Sequence, residues 1–268
     1  AGNAGPAATT ANFTIDTKEP TVTSFTMADA ALKVGEDSVV TLVFSEAVAV
    51  FSSAADITVV NGVLDPMTSS DNITWTGTFT PTDDIEDTSN VLTLATSYTD
   101  TAGNAGPAAT TANFTIDTKN PTATITYDSV GPYKNGETVR ITATFDEAML
   151  QTNVPKIAIT STGTTNLTAT TMTSMNGSNT EYYYDYDIPL GDSTDATITL
   201  SVGTDLAGNV ITAAPTSGGV FEIDNTPPRI ATVLTLNDSV ITTTFTLTNG
   251  TTFVKPVGTS VTQSGSTA

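Results

Sequence analysis

The chain has 268 residues, with 28 acidic against 8 basic side chains and neither His nor Cys. The formal net charge of −20 excludes a nucleic-acid partner held by phosphate contacts, because so few dispersed cations make no basic surface. The absence of His and Cys excludes serine and cysteine triads, structural zinc, haem and iron–sulfur ligation, and disulfides. No apolar run approaches the ~18 residues of a membrane-spanning helix, so we predict no membrane span in this segment.

An unchanged repeat organises the chain. Residues 1–18, AGNAGPAATTANFTIDTK, recur at 102–119, which sets a period of about 101 residues. We therefore predict four parts, which are the last strand of a preceding unit at 1–19, a first module at 20–120, a second module at 121–227 and a partial third β module at 228–268.

Each module is predicted to consist of strands, because short β-branched runs are separated by Gly, Pro, Asn and Asp turns. In the first module the runs lie at 21–27, 38–44, 56–60, 72–79, 91–97 and 112–116. In the second they lie at 122–127, 138–145, 156–160, 166–173, 180–188, 196–202 and 219–223. About seven strands in roughly 100 residues is typical of an immunoglobulin-like sandwich. We predict an all-β chain of tandem immunoglobulin-like β-sandwiches, arranged as an elongated rod.

The two ends allow two interpretations. The third part offers strands at 231–236, 239–247 and 251–255, with a further one at 259–263, which are too few to close a sandwich. In one interpretation the sequence is an excerpt of a longer chain. In the other, residues 11–16, with Phe13 and Ile15 on one face, complete the C-terminal unit of another copy by strand addition.

The quoted repeats resemble a known group of proteins. The first module, with LKVGEDSVVTLVFSEAV, TDTAGN and FTIDTKNPT, is similar to the bacterial and archaeal Ig-like repeats of giant surface adhesins. The second, with YKNGETVRITATFDEAM, TDLAGNV and FEIDNTPP, resembles Ig-like modules of surface-layer proteins in ammonia-oxidising archaea. The resemblance covers residues 1–228 and implies an extracellular, cell-surface location.

Sandwich topology predicts a cluster of oxygen ligands where the chain enters each module. The Phe-x-Glu-Ala motif ends the second predicted strand of each module, the Asp-x-Ala-Gly-Asn motif precedes the last predicted strand, and the preceding module ends in Asp. Flexible, acidic, oxygen-only clusters suit Ca²⁺. The predicted ligands are Asp16, Glu46, Asp100 and Asn104 at the first junction, Asp117, Asp146, Glu147, Asp205 and Asn209 at the second, and Asp224 after the second module. The alternative is that these are turn residues that satisfy their own backbone.

Two weaker patterns also stay open. The acidic residues at 83, 84, 86 and 87 are predicted to form a solvated turn, with a second cation site as the alternative. Tyr182, Tyr184 and Tyr186 share one face of a strand, which favours sheet packing over a ligand-stacking surface.

Together these patterns favour a non-enzymatic structural component of an extracellular surface layer or fibre, rigidified by Ca²⁺ at module junctions. Its expected partners are cations and other copies of itself in a lattice or fibre. The alternatives are the stalk repeats of a cell-surface adhesin and a carbohydrate-binding module array. A dense negative surface also keeps long arrays soluble and attracts cations.

Overall fold

The structure is a computed structural model that describes residues 1–228, together with the backbone of 231–237, 240–246 and 252–256. Short strands and turns fill most of the described chain, and the one helix there is Ser53–Asp56 (α1). The prediction of an all-β chain is confirmed. In the described part of the chain, no helix has the length and apolar character that crossing a bilayer requires.

The first module contains twelve short strands. They are β1 Val22–Met27, β2 Ala31–Lys33, β3 Ser38–Phe44, β4 Val48–Val50, β5 Ile57–Thr58, β6 Gly62–Leu64, β7 Thr74–Pro81, β8 Glu86–Asn90, β9 Thr93–Leu94, β10 Thr99–Asp100, β11 Ala109–Thr110 and β12 Phe114–Asp117. One sheet has the order β1-β3-β7-β6, and the facing strands form the smaller groups β2-β12-β8, β11-β9-β5 and β10-β4. Strand β12 runs parallel to β2 and antiparallel to β8. It therefore lies between two strands that are far apart in the sequence.

The second module contains eight strands in two four-stranded sheets. They are β13 Ala123–Tyr127, β14 Thr138–Phe145, β15 Lys156–Thr160, β16 Leu167–Thr171, β17 Thr173–Ser174, β18 Glu181–Asp187, β19 Ser193–Ser201 and β20 Val220–Ile223. The sheet orders are β13-β14-β18-β17 and β16-β15-β19-β20. These strands match the predicted runs closely, because strands with one buried face carry a clear apolar alternation.

Each module has its own buried apolar cluster. In the first, Phe79 of β7 meets Phe114 of β12 with ring centroids 5.4 Å apart. In the second, Tyr186 of β18 meets Phe221 of β20 at 6.1 Å. In both pairs the two rings come from different sheets, so the sheets pack face to face around these clusters.

The prediction missed several first-module strands, of which β8 is the most instructive. Its sequence, EDTSN, is polar, and its first two residues belong to the acidic run predicted to be a solvated turn. The structure confines the turn to Asp83 and Asp84 and places Glu86 and Asp87 in β8. Pairing with β12 and a buried Asn90, whose Nδ2 donates to the carbonyl of Asp87 at 2.9 Å, hold this strand in place. Non-local pairing therefore overrides a weak local β-propensity.

Beyond the second module, three backbone segments form an antiparallel sheet in the order β21-β22-β23. They are β21 Ala231–Asn237, β22 Val240–Thr246 and β23 Thr252–Pro256. The further strand predicted at 259–263 lies outside the described residues. At the other end, residues 1–21 contain no strand, and Phe13 and Ile15 are 76% and 77% exposed. The strand addition predicted for residues 11–16 stays a prediction.

Candidate metal centres at the module junctions

Two groups of three carboxylates form at the linkers that lead into the modules. The first carboxylate cluster is Asp16, Glu46 and Asp100, and the second carboxylate cluster is Asp117, Glu147 and Asp205. Within each cluster, one carboxylate oxygen per residue lies within 4.8 Å of the others. The structure thus brings together six of the ten residues that the sequence singles out.

Each cluster draws on a linker and two loops of the module that follows it. In the second cluster, Asp117 ends β12, Glu147 follows β14, and Asp205 begins the Asp-x-Ala-Gly-Asn loop. The chain enters the second module directly after Asp117, so this residue belongs to the preceding module. The arrangement repeats at the first cluster, where Asp16 lies in the segment before β1.

The Asp-x-Ala-Gly-Asn loop is built around its own Asp. Asp100 Oδ1 accepts hydrogen bonds from the backbone N–H groups of Ala102, Gly103 and Asn104 at 2.7–2.9 Å. Gly103 sits at φ +97°, a left-handed conformation that favours glycine. Asp205 does the same one module later, accepting from Gly208 and Asn209. Both aspartates are almost fully buried. The backbone donors fix Oδ1 of each, while Oδ2 accepts one bond, from the amide of Asn104 or Asn209, and keeps a lone pair for a ligand.

The glutamates contribute oxygens that have no hydrogen-bond donor. Glu46 Oε1 and Glu147 Oε1 are both inaccessible to solvent, and neither accepts a hydrogen bond in the described structure. Burial, together with the neighbouring Asp205 and Asp117 carboxylates, raises the pKa of Glu147 to about 7. Burial and the Asp205 charge likewise raise the pKa of Asp117 above its usual range. The second cluster therefore carries negative charge that its protein surroundings do not fully compensate.

Two lysines of the repeated IDTK sequence lie beside the clusters. Lys119 Nζ is 3.1 Å from Asp146 Oδ2, and this contact raises the pKa of Lys119. Lys18 Nζ lies 4.0 Å from Glu46 Oε1. Both lysines recur two residues after Asp16 and Asp117, and this spacing is the signal from which their place beside the predicted ligands could be inferred.

The remaining predicted ligands have other partners. The side-chain amide of Asn104 donates to Asp100 and to two linker carbonyls, and that of Asn209 donates to Asp205 and Asp117. Asp146 accepts from Thr122 and pairs with Lys119. Asp224 Oδ1 accepts from the Thr226 N–H at 2.9 Å, and the side chains from 229 onward lie outside the described residues. Asp146 thus stands beside the second cluster, and the two asparagines act as donors within the clusters.

The tyrosine pattern of β18 is a packing feature. Tyr182 and Tyr186 are 0% and 5% exposed, and Tyr184 packs against the same core. A side chain enclosed in a core offers no platform for a ligand. The ligand-stacking interpretation is therefore wrong.

A comparison with protein families agrees with this fold over part of the chain. Residues 16–116 match a family described as a bacterial Ig-like domain. Among solved structures, a marsupial T cell receptor aligns with a TM-score of 0.32 and 11% identity over 82% of this chain and 79% of that one. The N-terminal part of the bacterial S-layer protein SbsC aligns with a TM-score of 0.23 and 13% identity over 88% of this chain and 43% of that one.

A second surface-layer structure, domains 1–6 of SbsC, aligns with a TM-score of 0.25 and 13% identity over 88% of this chain and 46% of that one. The chain thus spans less than half the length of these surface-layer structures. A search of curated proteins found no matching sequence. The chain is an all-β protein whose residues 16–116 match the bacterial Ig-like domains.

Proposed function

We propose that the chain is a non-enzymatic structural component of an extracellular surface layer or fibre, in which Ca²⁺ rigidifies the junctions between Ig-like modules. The observation that carries this proposal is the pair of three-carboxylate clusters. Each cluster joins a linker aspartate to two loops of the following module. The match of residues 16–116 to bacterial Ig-like domains supports the same assignment.

The donor chemistry of the clusters suits a hard divalent cation. All three side chains of each cluster are carboxylates, and Ca²⁺ takes six to eight oxygens from carboxylates, carbonyls and water. Structural zinc sites instead use Cys sulfur and His nitrogen, and the chain has no His or Cys. The buried, donor-free Oε1 atoms of Glu46 and Glu147 are the oxygens that a cation would satisfy.

Such an ion would restrict the linker. Asp117 belongs to β12 of the first module, whereas Glu147 and Asp205 belong to the second. A cation shared among them would join the two modules at a point where a single linker, residues 118–122, connects them. A stalk or a lattice subunit needs this restriction, because a flexible linker lets neighbouring modules adopt many relative orientations.

An adhesin stalk is the second candidate, and one observation favours it. The unchanged repetition of residues 1–18 at 102–119 is typical of arrays of near-identical modules. The carbohydrate-binding alternative has less support, because Tyr182 and Tyr186 of β18 are buried and Tyr184 packs against the same core.

Self-assembly tests the proposed function. The purified chain would be imaged by electron microscopy in Ca²⁺, in Mg²⁺ and in chelator, and we expect sheets or fibres in Ca²⁺ alone. The double variant Glu46→Gln with Glu147→Gln should remain dispersed. The control Glu222→Gln, which changes an exposed glutamate of β20, should assemble as the wild type does. Single molecules under every condition would contradict the proposal.

A further inference from the structure

Asn209 lies where three parts of the chain meet. It is 2% exposed. Its Nδ2 donates to Asp205 Oδ2 at 2.8 Å within its own loop, and to the Asp117 carbonyl at 2.8 Å in the linker. Its Oδ1 accepts the backbone N–H of Val34 at 2.8 Å. Val34 belongs to the turn between β2 and β3, so this last bond reaches into the first module.

The chemistry of the partners fixes the orientation of this amide. A carboxylate and a carbonyl accept only, so the Nδ2 group must face Asp205 and Asp117. The Val34 N–H donates only, so Oδ1 must face the first module. Turning the amide over would place acceptor against acceptor and donor against donor. Asn209 therefore fits this position in one orientation only.

The turn between β2 and β3 presents the backbone N–H of Val34 to Asn209. The Glu36 N–H donates to the Lys33 carbonyl at 3.1 Å, and Gly35 has φ +76°. This is the pattern of a type II turn with Val34 at its second position. The amide of that second position has no acceptor within the turn, so its partner is either a neighbouring element or water.

The second module supplies an internal comparison. Its corresponding turn amide, that of Asn135, donates to Asn225 Oδ1 at 2.6 Å. Asn225 follows the last strand of its own module, at the position where the first module has Thr118. The Thr118 hydroxyl bonds instead to the Thr82 carbonyl at 2.7 Å. An asparagine oxygen thus meets this turn amide in both modules, but in the first module it comes from the module that follows.

From these contacts we infer that Asn209 is a clamp, which fixes the orientation of the second module on the first and links that orientation to the second carboxylate cluster. The link arises because its Nδ2 bonds both to Asp205 and to Asp117, whose Oδ1 it reaches at 3.2 Å. An ion that holds these two carboxylates also holds the clamp. Only this link rests on the proposed function, since the clamp itself depends on the contact with Val34.

The turn geometry permits a sharp test. Val34→Pro removes the N–H that Asn209 accepts, and proline is favoured at the second position of a type II turn, so the first module should keep its fold. Val34→Ala keeps the N–H and serves as the matched control. Asn209→Ala removes the clamp from the other side. Asn104→Ala removes the equivalent asparagine of the first module, whose bonds run to Asp100 and to the linker before β1.

The readout is the distance distribution between spin labels in the two modules, measured by pulsed electron paramagnetic resonance on the full chain. The chain has no cysteine, so labels attach only at Val63→Cys in β6 and Ala169→Cys in β16, both exposed strand positions. We expect a single narrow peak in Ca²⁺ for the wild type, Val34→Ala and Asn104→Ala. For Val34→Pro and Asn209→Ala, we expect this narrow peak to be replaced by a broader distance distribution or by one with a different mean.

Two outcomes would overturn the clamp. One is a Val34→Pro distribution identical to that of Val34→Ala, and the other is a broadening by Asn104→Ala equal to that by Asn209→Ala. A failure of the proposed function would give a different experimental result. If calorimetry detected no Ca²⁺ binding to the wild type, the link to the cluster would be wrong, while the proline–alanine comparison in chelator would still decide whether the clamp exists.

Discussion

Glu147 carries much of the electrostatic strain of the second carboxylate cluster. Its Oε1 is buried without a donor, and burial next to Asp205 and Asp117 raises its pKa to about 7. In the metal-free protein this carboxyl therefore holds a proton at pH values where an ordinary glutamate has lost it. Ca²⁺ and the proton compete for the same oxygens.

The stability of the metal-free chain should consequently depend on pH through this residue. The folded-state pKa of about 7 lies above the ordinary value of about 4.5, so the stabilisation is fully present below about pH 4.5 and is lost as the pH rises through about 7. In chelator, we expect calorimetry to show that the second module of the wild type loses stability between about pH 4.5 and pH 7 relative to Glu147→Gln, which does not titrate.

Saturating Ca²⁺ should reverse this trend, because the ion binds the ionised carboxylate and neutralises the repulsion. The control Glu222→Gln should follow the wild type at every pH. A pH dependence that is the same for Glu147→Gln and the wild type would contradict the assignment of Glu147 to a strained, buried site.

At the scale of the element, β12 shows that neighbouring strands decide whether the same sequence is buried or exposed. Phe114 and Ile116 of β12 are each 1% exposed, whereas Phe13 and Ile15, in the unchanged copy of this segment, are 76% and 77% exposed. The difference arises because β2 and β8 flank β12, while residues 1–21 pair with no strand in the described chain.

This contrast provides a matched pair of substitutions. Phe114→Ala should destabilise the first module by about 3–5 kcal/mol, the usual loss for a buried phenylalanine, whereas Phe13→Ala should change its stability by no more than about 0.5 kcal/mol. Urea unfolding, followed by the fluorescence of the single tryptophan, measures both effects, because Trp75 packs against the first module's core. Equal destabilisation by the two variants would mean that residues 1–18 also pack into a core.

The strands differ in how well the sequence predicts them. Strands with one buried face, such as β3 and β14, were predictable from their alternation. The polar strand β8 and the three-residue strand β2 were not, because neither carries a run of alternating apolar residues and both pair with β12, which is distant in sequence. The carboxylate clusters could be predicted because motif and topology placed three loops together. The bond from Asn209 to Val34 could not, since it depends on how one module sits on the next.

At the scale of the molecule, the net charge of −20 makes the junctions the expected points of cation uptake. Carboxylates dispersed over the surface attract a diffuse ion atmosphere that salt screens readily. The two clusters instead combine a buried aspartate with a donor-free glutamate oxygen. A bound ion there stabilises the folded chain by mass action, by about 2.7 kcal/mol when Ca²⁺ exceeds its dissociation constant about 100-fold.

Counting bound Ca²⁺ by native mass spectrometry tests the central claim most directly, with isothermal calorimetry to confirm affinity in solution. From the two clusters we predict two tightly held ions for the described part of the wild-type chain. Glu46→Gln and Glu147→Gln should each remove one ion, their combination should remove both, and Glu222→Gln should remove none. A wild-type chain without specifically bound Ca²⁺, or a double variant that keeps both ions, would contradict the account.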